Sequence, residues 1–359
     1  MPAYLSMNQE QLEKEYQAVF EEYSACKAQN NNLNMARGKP SKEQLDLVND
    51  ILGCITPDDC KDGNIDVRNY GELSGIPSAR KYWADILGCK PEQTFVGGAS
   101  SLTLMFDLIS RAFTHGLLGS PRPWCKEEKV KFLCPSPGYD RHFQIGQFYG
   151  AELITIPMLS TGPDMDMIEE YVKDPQVKMI WVVPKYSNPD GIIFSDETIR
   201  RFANLKPAAP DFAIIWDNAY CIHEFEGEYV PFPDIISMCA EAGRPDMVFE
   251  FASTSKITFA GGGTSCMAAS EANINYFTGV FGVQMISYDK VNQLRHVKFL
   301  QNKAHTLEIM KLHASVMAPK FRCVSRWLNT EIKPLGFARW VDPKGGYFVS
   351  LYTMPCTAK

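Results

Sequence analysis

The feature of this sequence that most constrains its fold is an alternation of short apolar runs with amphipathic segments, which begins near Gln93. Seven runs have the composition of β-strands, at residues 94–96, 130–134, 151–157, 177–183, 212–216, 248–252 and 265–269. The segments between them, including 101–112, 166–173 and 196–205, have the apolar spacing of helices. Strands that alternate with helices form a mostly parallel sheet covered on both faces. We therefore predict an α/β fold of three layers, α/β/α, around a mostly parallel seven-stranded sheet, with the ligand site at the carboxyl ends of the strands.

Both ends of the chain have a different pattern from this central part. Apolar residues recur at spacings of three and four residues over 8–29, which predicts a first helix. A second amphipathic stretch covers 42–52. Residues 289–330 predict one or two long helices, followed by an antiparallel pair of strands at 338–341 and 346–351. We expect these ends to form a smaller α+β domain.

Composition excludes several classes of protein. The 359 residues carry a net charge of −6, which argues against a basic nucleic-acid-binding surface. No apolar run is long enough to span a membrane, and the N-terminus lacks the pattern of a signal peptide. The eleven cysteines are scattered without a CxxC pair, and the six histidines show no ligand spacing. We expect a cytoplasmic protein with free thiols and without a metal site.

Two segments that follow predicted strands carry residues with reactive side chains. Lys256 lies just after the run 248–252, among small hydroxyl residues and before three glycines. It is either a solvated loop lysine or a desolvated amine that forms a Schiff base. Asp217 ends the run 212–216 and is either a helix N-cap or a buried carboxylate paired with a positive group, such as a protonated pyridine nitrogen.

Three further strand-end segments are ambiguous when each is taken alone. Asn188 precedes a proline in a turn and could donate a hydrogen bond to a phenolic oxygen. Residues 97–101 pass from a strand into a helix, where free backbone N–H groups could hold a phosphate, although a plain helix N-cap explains them equally well. Tyr139 lies in a proline- and glycine-containing loop and is either a site residue or an exposed turn residue.

Together, these segments resemble the fold-type I aminotransferases that use pyridoxal 5′-phosphate (PLP). The chain is most similar to the type Ic aspartate aminotransferases, which are related to the aminotransferase part of MocR-type regulators. The resemblance covers almost the whole chain and is closest at four segments, 33–40 (LNMARGKP), 68–71 (RNYG), 134–143 and 253–263. It implies a large PLP-binding domain at 55–288 and a small domain built from 1–54 and 289–359.

The resemblance implies a role for each of these residues. Lys256 would form the Schiff base and transfer the proton, and Asp217 would keep the ring nitrogen protonated. Asn188 and Tyr220 would bind the phenolic oxygen, and Tyr139 would stack on the ring. The residues implied to lie around the phosphate are Ala99, Ser100, Ser101, Ser253 and Ser255.

Further implied roles concern the substrate and a second subunit. Tyr70 would reach the phosphate of the neighbouring subunit, which implies a homodimer. Gly38, Arg37 and Asn188 would contact the substrate. The side-chain carboxylate of a dicarboxylic substrate has three candidate partners, Arg37, Arg141 and Arg295.

The sequence departs from the family pattern at two places. Relatives carry a phosphate-binding arginine about eight residues after the Schiff-base lysine, whereas Thr264 stands here. The arginine that binds the substrate α-carboxylate lies in the family beyond the strand that contains residues 345–348, and the chain stops at Lys359 before such a residue. We therefore expect the C-terminal part of the small domain to be incomplete, and PLP binding to be retained more readily than transamination.

The implied function is amino-group transfer between aspartate, or another amino acid, and 2-oxoglutarate. The cofactor residues alone leave open a PLP-dependent lyase or decarboxylase and a catalytically impaired PLP-binding module. A sensor module of a transcription regulator is disfavoured, because residues 1–40 are too short and too acidic for a DNA-binding domain ahead of it. The expected partners are small-molecule amino and 2-oxo acids, with neither nucleic acid nor membrane.

Overall fold

The computed structural model of the chain describes residues 3–32 and 38–354. Two short strands, β1 (Lys61–Asp62) and β2 (Ile65–Asp66), form a small antiparallel pair. The central strands are β3 (Thr94–Gly97), β4 (Lys131–Ser136), β5 (Glu152–Leu159), β6 (Gly162–Pro163), β7 (Val177–Val182), β8 (Ala213–Asp217), β9 (Val248–Ser253) and β10 (Ser265–Ala269). They form one sheet in the order β3-β10-β9-β8-β7-β4-β5-β6.

Eleven α-helices occur in the described ranges. They are α1 (Gln9–Ala28), α2 (Lys42–Asp46), α3 (Pro77–Leu87), α4 (Ser101–Thr114), α5 (Asp140–Phe148), α6 (Met165–Tyr171), α7 (Asp196–Ala203), α8 (Ile235–Glu241), α9 (Glu271–Phe281), α10 (Lys290–Leu300) and α11 (Lys303–Trp327). Within these described residues, no helix is both long and apolar enough to cross a membrane.

The sheet confirms the predicted mostly parallel α/β architecture. Five strands pair in parallel with their neighbours, in the order β5, β4, β7, β8 and β9. Strand β10 runs antiparallel to both β9 and β3. All seven predicted strands are present. The predicted number of seven was nevertheless one too low, because β6 adds an antiparallel edge to β5. With only Gly162 and Pro163, this strand has no apolar run that could reveal it, and proline is tolerated at a sheet edge.

Burial on both faces explains why the central runs are mostly apolar, and the lysine within β7, Lys178, is itself buried and paired with Asp211 at 2.8 Å. Every residue of β7 and β8 is buried. On β8, Ile214 and Trp216 pack into the core on one face, and Ala213 and Ile215 pack into the core on the other. Only its last residue, Asp217, is charged, and it lies at the carboxyl end where the sheet meets the predicted site.

Helices are present in both chain-end segments, as predicted. Helix α1 covers almost the predicted range, and α10 and α11 lie within the predicted 289–330. The predicted final strand 346–351 was wrong in position, since β11 (Ala338–Trp340) pairs with β12 (Leu351–Thr353). The backbone N–H of Gly346 instead donates to His223 O, and Gly345 forms an isolated bridge with Glu224. The division into a large and a small domain stays a prediction.

Candidate active site

A cavity of about 660 Å³ opens at the carboxyl ends of the strands. Most residues singled out from the sequence line it. These are Gly38, Ser100, Ser101, Tyr139, Asn188, Asp217, Tyr220, Ser253, Ser255 and Lys256. Segments far apart in the chain therefore meet where the strand order predicted a ligand site.

Lys256 lies in the turn between β9 and β10 with its amine directed at an aromatic ring. Its Nζ lies 4.7 Å from the centre of the Tyr220 ring. Burial lowers the pKa of Lys256, and the charge of Asp217 opposes that shift. An amine with a lowered pKa is more often neutral, so it is better suited to act as a nucleophile.

The Lys256 turn is closed by hydrogen bonds that pair its two ends. Thr254 N donates to Thr264 O at 2.8 Å, and Thr264 N donates to Thr254 Oγ1 at 2.9 Å. A Cβ atom on Gly263 would lie only 2.7 Å from Thr254 Oγ1, so this turn requires glycine there. Thr264 is thus part of the frame of the turn and is buried.

Asp217 is 4% exposed and uses only one of its two carboxylate oxygens. Its Oδ2 lies 3.1 Å from His142 Nε2, whereas Oδ1 is buried and has no hydrogen-bond partner among the described residues. The ring of His142 stacks on Trp181 at 4.1 Å, which fixes the imidazole. Burial lowers the pKa of His142, although the hydrogen bond to Asp217 opposes this, so the neutral ring donates from Nε2. The unpaired Oδ1 leaves room for one donor from a bound molecule.

The start of α4 forms an anion-binding corner of the cavity. Ser100 is the N-cap residue, and its side chain makes no capping hydrogen bond, so its hydroxyl is not used by the helix. Ser255 Oγ donates to Ala99 O at 3.0 Å, and Ser253 Oγ donates to Ser255 Oγ at 3.0 Å. Unpaired N–H groups at the first turn of a helix, together with hydroxyls, favour a phosphate or carboxylate.

The chain matches the model of the aspartate amino-transferase family over residues 7–359. The chain belongs to this family. It is 44% identical over 345 residues to the aspartate aminotransferase of Corynebacterium glutamicum, which covers 96% of this chain and 80% of that protein. Family membership confirms the aminotransferase class that the strand-end residues indicated.

Solved structures of aminotransferases share the fold. A crystal structure of an aspartate transaminase from Corynebacterium glutamicum has a TM-score of 0.95 at 43% identity, over 98% of this chain and 83% of that chain. The α-aminoadipate aminotransferase LysN of Thermus thermophilus, solved with N-(5′-phosphopyridoxyl)-L-leucine, has a TM-score of 0.68 at 22% identity, over 89% and 76%. This second likeness shows only that the fold is shared.

Some residues expected in this aminotransferase site lie elsewhere. Tyr70 is 81% exposed and does not line the cavity, so its expected contact with a second subunit stays a prediction. Arg37 lies outside the described residues. Arg295 approaches Gly262 O at 3.5 Å on the outer side of the Lys256 turn and does not line the cavity.

The structure adds to the candidate site two cationic residues that line the cavity and one histidine that contacts Asp217. Arg141 lines the cavity, as does Lys39, which the sequence reasoning did not select. His142 is one of the six histidines without ligand spacing, and the sequence pattern does not predict its contact with Asp217. A signal was present, because His142 follows Tyr139 by three residues at the start of α5 and so lies near the same strand end.

Proposed function

We propose that this chain is a PLP-dependent aminotransferase that transfers the amino group of aspartate to 2-oxoglutarate. The observation that carries the proposal is the unpaired, buried Oδ1 of Asp217 in the same cavity as the Lys256 amine. This oxygen can accept a hydrogen bond from a pyridine N–H. The free hydroxyls and N–H groups at the start of α4 suit the phosphate of the same molecule, so the residues fit PLP.

When bound, PLP supplies an aldehyde that condenses with a primary amine and a ring that withdraws electrons from the substrate Cα. Lys256 supplies the amine that holds the cofactor until the substrate amine takes its place. Its Nζ would then be free to take the proton from the substrate Cα and to deliver it to C4′, the aldehyde carbon of the cofactor. Asp217 keeps the ring nitrogen protonated, and His142 holds the carboxylate in place for that task.

Other residues of the cavity wall orient the reacting groups. Asn188 and Tyr220 are placed to bind the phenolic oxygen, and burial raises the pKa of Tyr220, which keeps its hydroxyl a hydrogen-bond donor. Tyr139 lines the cavity and would cover the ring, and Phe348 lines the cavity from the chain's C-terminal part. Ser255 holds the backbone of Ala99 at this corner of the cavity and is itself held by Ser253, since both hydroxyls already donate within the protein.

The choice of a dicarboxylic substrate rests on the relatives and on one cation. The similar protein from Corynebacterium glutamicum is named aspartate aminotransferase. Arg141 lines the cavity, and its only hydrogen bond among the described residues goes to the neutral Gln144 Oε1 at 3.2 Å. Its guanidinium therefore retains donors for a substrate carboxylate. Of the three arginines singled out in the sequence, we assign the side-chain carboxylate to Arg141.

We further propose a cytoplasmic homodimer in which Tyr70 reaches the phosphate of the neighbouring subunit. The exposed position of Tyr70 supports the contact, since a phenol ring of 81% exposure is available to a second copy. The ten described cysteines are all free thiols, in keeping with a reducing compartment. The small domain would comprise 1–54 and 289–359, around the large domain 55–288.

Titration of the purified chain with PLP, followed by a coupled assay for oxaloacetate, tests the proposal. We expect a visible absorption band and oxaloacetate formation from aspartate and 2-oxoglutarate. Lys256→Ala should lose both, because it removes the amine and the proton carrier. A band that persists in Lys256→Ala without added amine contradicts the role of this lysine. Alanine and carbon dioxide formed from aspartate in place of oxaloacetate would point to a decarboxylase instead.

A further inference from the structure

Two buried histidines from α10 and α11 hold the turn that carries Lys256. His296 is 1% exposed and His313 is 2% exposed, and each contacts a different residue of the turn. Neither lines the cavity, and the proposed chemistry uses neither. Their hydrogen bonds show what each does for the turn.

The hydrogen bonds of His313 determine its tautomer. Its Nε2 lies 3.1 Å from the carbonyl oxygen of Ile257, the residue after Lys256, and its Nδ1 lies 3.3 Å from Gln44 Nε2. A carbonyl oxygen can only accept and an amide NH₂ can only donate, so Nε2 carries the proton and Nδ1 accepts. Gln44 is oriented independently, because Ser41 N donates to its Oε1 at 3.1 Å.

Gln44 continues this chain of hydrogen bonds to the cavity wall. Its Nε2 also donates to Tyr347 Oη at 2.9 Å. Tyr347 precedes Phe348, which lines the cavity, and a Cβ atom on Gly38 would lie 2.8 Å from Tyr347 Cβ. Three hydrogen bonds thus link the wall of the cavity to the backbone beside Lys256, through a residue of α2 and a residue of α11.

His296 holds the other side of the turn without reaching the cavity wall. Its Nδ1 donates to Asn292 O at 2.8 Å, so its Nε2 accepts from Thr258 Oγ1 at 3.0 Å. Thr258 Oγ1 in turn lies 3.0 Å from Thr254 Oγ1, within the frame of the turn. The link to the cavity wall is therefore particular to His313.

We propose that His313 is a positioning residue, which fixes Lys256 through Ile257 and couples that turn, through Gln44 and Tyr347, to the wall that contacts the substrate. The inference rests on the proposed function, since it takes Lys256 as the amine that holds PLP. Burial lowers the pKa of His313, in agreement with the neutral ring that both hydrogen bonds require.

Two replacements of His313 separate its two hydrogen bonds. In His313→Gln the amide nitrogen lies near the position of Nε2 and can still donate to Ile257 O. In His313→Asn the amide oxygen lies near the position of Nδ1 and can still accept from Gln44, while the bond to Ile257 is lost. Thr306→Val is the matched control, because Thr306 is buried on the same helix and bonds Tyr82 Oη at 3.3 Å, away from the turn.

The variants are compared as PLP-loaded enzymes. A pH titration of the visible absorption gives the pKa of the Lys256 nitrogen bound to PLP, here called the spectroscopic pKa. Steady-state kinetics give kcat and KM for aspartate. In His313→Asn we expect the spectroscopic pKa to rise by about one unit, because a relaxed turn leaves the nitrogen of Lys256 less desolvated. We also expect kcat to fall about tenfold, because even a small misplacement of a reacting group slows the reaction. His313→Gln should retain the spectroscopic pKa, and Gln44→Leu should raise KM about tenfold through the cavity wall.

Each outcome supports or overturns the inference. Thr306→Val should lower the Tm and leave the spectroscopic pKa unchanged. If His313→Asn behaves in the same way, His313 is merely structural and the inference is wrong. If His313→Asn does not fold, an unchanged KM in Gln44→Leu overturns the coupling. Absence of the visible band in the unmodified enzyme would overturn the proposed function and the inference with it.

Discussion

Asp217 and His142 form a buried pair in which the imidazole binds only one of the two carboxylate oxygens. The Oδ2–Nε2 distance is 3.1 Å, and Oδ1 has no partner in the described part of the chain. A carboxylate held in this way presents its free oxygen in a defined direction. The pair joins β8 to the start of α5, the helix that follows the Tyr139 loop.

Loss of this pair should weaken PLP binding. In His142→Leu, Oδ2 loses its only donor, so Asp217 is no longer held for the ring nitrogen. An unsatisfied buried charge costs about 1–3 kcal/mol, which corresponds to a Kd for PLP about tenfold to a hundredfold higher. Absorbance titration measures this change. His115→Leu is the control, because His115 is exposed and its ring bonds only the neighbouring Thr114 among the described residues. Equal Kd values for the two variants would contradict the role of His142.

Glu250 should make stability fall as the pH rises. It is 3% exposed on β9 and accepts a hydrogen bond from Asn218 Nδ2 at 2.7 Å. Burial raises its pKa from 4.5 to about 8. Between these values the folded state binds a proton that the unfolded state releases, so the free energy of unfolding decreases with pH by up to about 1.4 kcal/mol per unit.

Glu250→Gln mimics the protonated carboxyl and removes this dependence. Relative to the unmodified chain, the variant should gain stability from about pH 4.5 to about pH 8 and then level off. Urea unfolding at several pH values measures the difference. Parallel curves for the two proteins across this range would show that Glu250 releases its proton at the same pH in both states.

Lys185 should be essential for folding stability. It is fully buried, and its Nζ lies 2.5 Å from Glu224 Oε1 and within 2.9 Å of the carbonyl oxygens of Cys221 and Val230. Lys185→Met leaves a buried carboxylate without its cation, which should lower the free energy of unfolding by about 3–5 kcal/mol. The same change at Lys42, whose ion pair with Asp46 is exposed, should leave the free energy of unfolding unchanged. Similar losses in the two variants would contradict the prediction.

Gly38 should be sensitive to the addition of a single methyl group. Its Cβ would lie 2.7 Å from Phe348 Cζ, so alanine must displace the cavity wall. We expect Gly38→Ala to lower kcat/KM for aspartate by about tenfold to a hundredfold, with the Kd for PLP unchanged. Gly53→Ala is the control, since a Cβ there meets nothing within 4 Å. If Gly38→Ala also raised the Kd for PLP by a similar factor, the substitution would act on cofactor binding and the prediction would be wrong.

Arg141 should discriminate between dicarboxylic and monocarboxylic substrates. Arg141→Gln removes the cation assigned to the side-chain carboxylate, so kcat/KM for aspartate should fall about tenfold to a hundredfold. Alanine lacks that carboxylate, and its kcat/KM should be nearly unchanged. Arg122→Gln, which disrupts an ion pair with Glu127 away from the cavity, controls for general effects. Equal losses with both amino acids would assign Arg141 to the α-carboxylate instead.

The local sequence predicted the sheet and the residues at its strand ends because both depend on short-range patterns. A strand buried on both faces, such as β8, is apolar along its length, and a charged residue such as Asp217 then marks its end. Partners from distant segments carry no such pattern. His142 and Asp217 are 75 residues apart, and Gln44 and His313 are 269 apart, so only packing brings them together.

The final strand shows how tertiary contacts override local preference. Residues 346–351 have the composition of a strand, yet the N–H of Gly346 donates to His223 O and strand pairing starts only at Leu351. A Cβ on Gly345 would lie 2.5 Å from that same carbonyl oxygen, so the backbone is drawn against the loop after β8. The sequence showed the two glycines but not the surface that they approach.

The separation between Ile257 and His313 has a consequence for biosynthesis. The two residues are 56 positions apart, so every strand of the central sheet and the entire Lys256 turn leave the ribosome before α11 does. Domains form as their segments emerge during translation. A nascent chain that has not yet reached His313 can complete the sheet while its lysine turn is held from one side only. Tyr347 emerges later still, so the part of the pocket that it holds forms after the Lys256 turn.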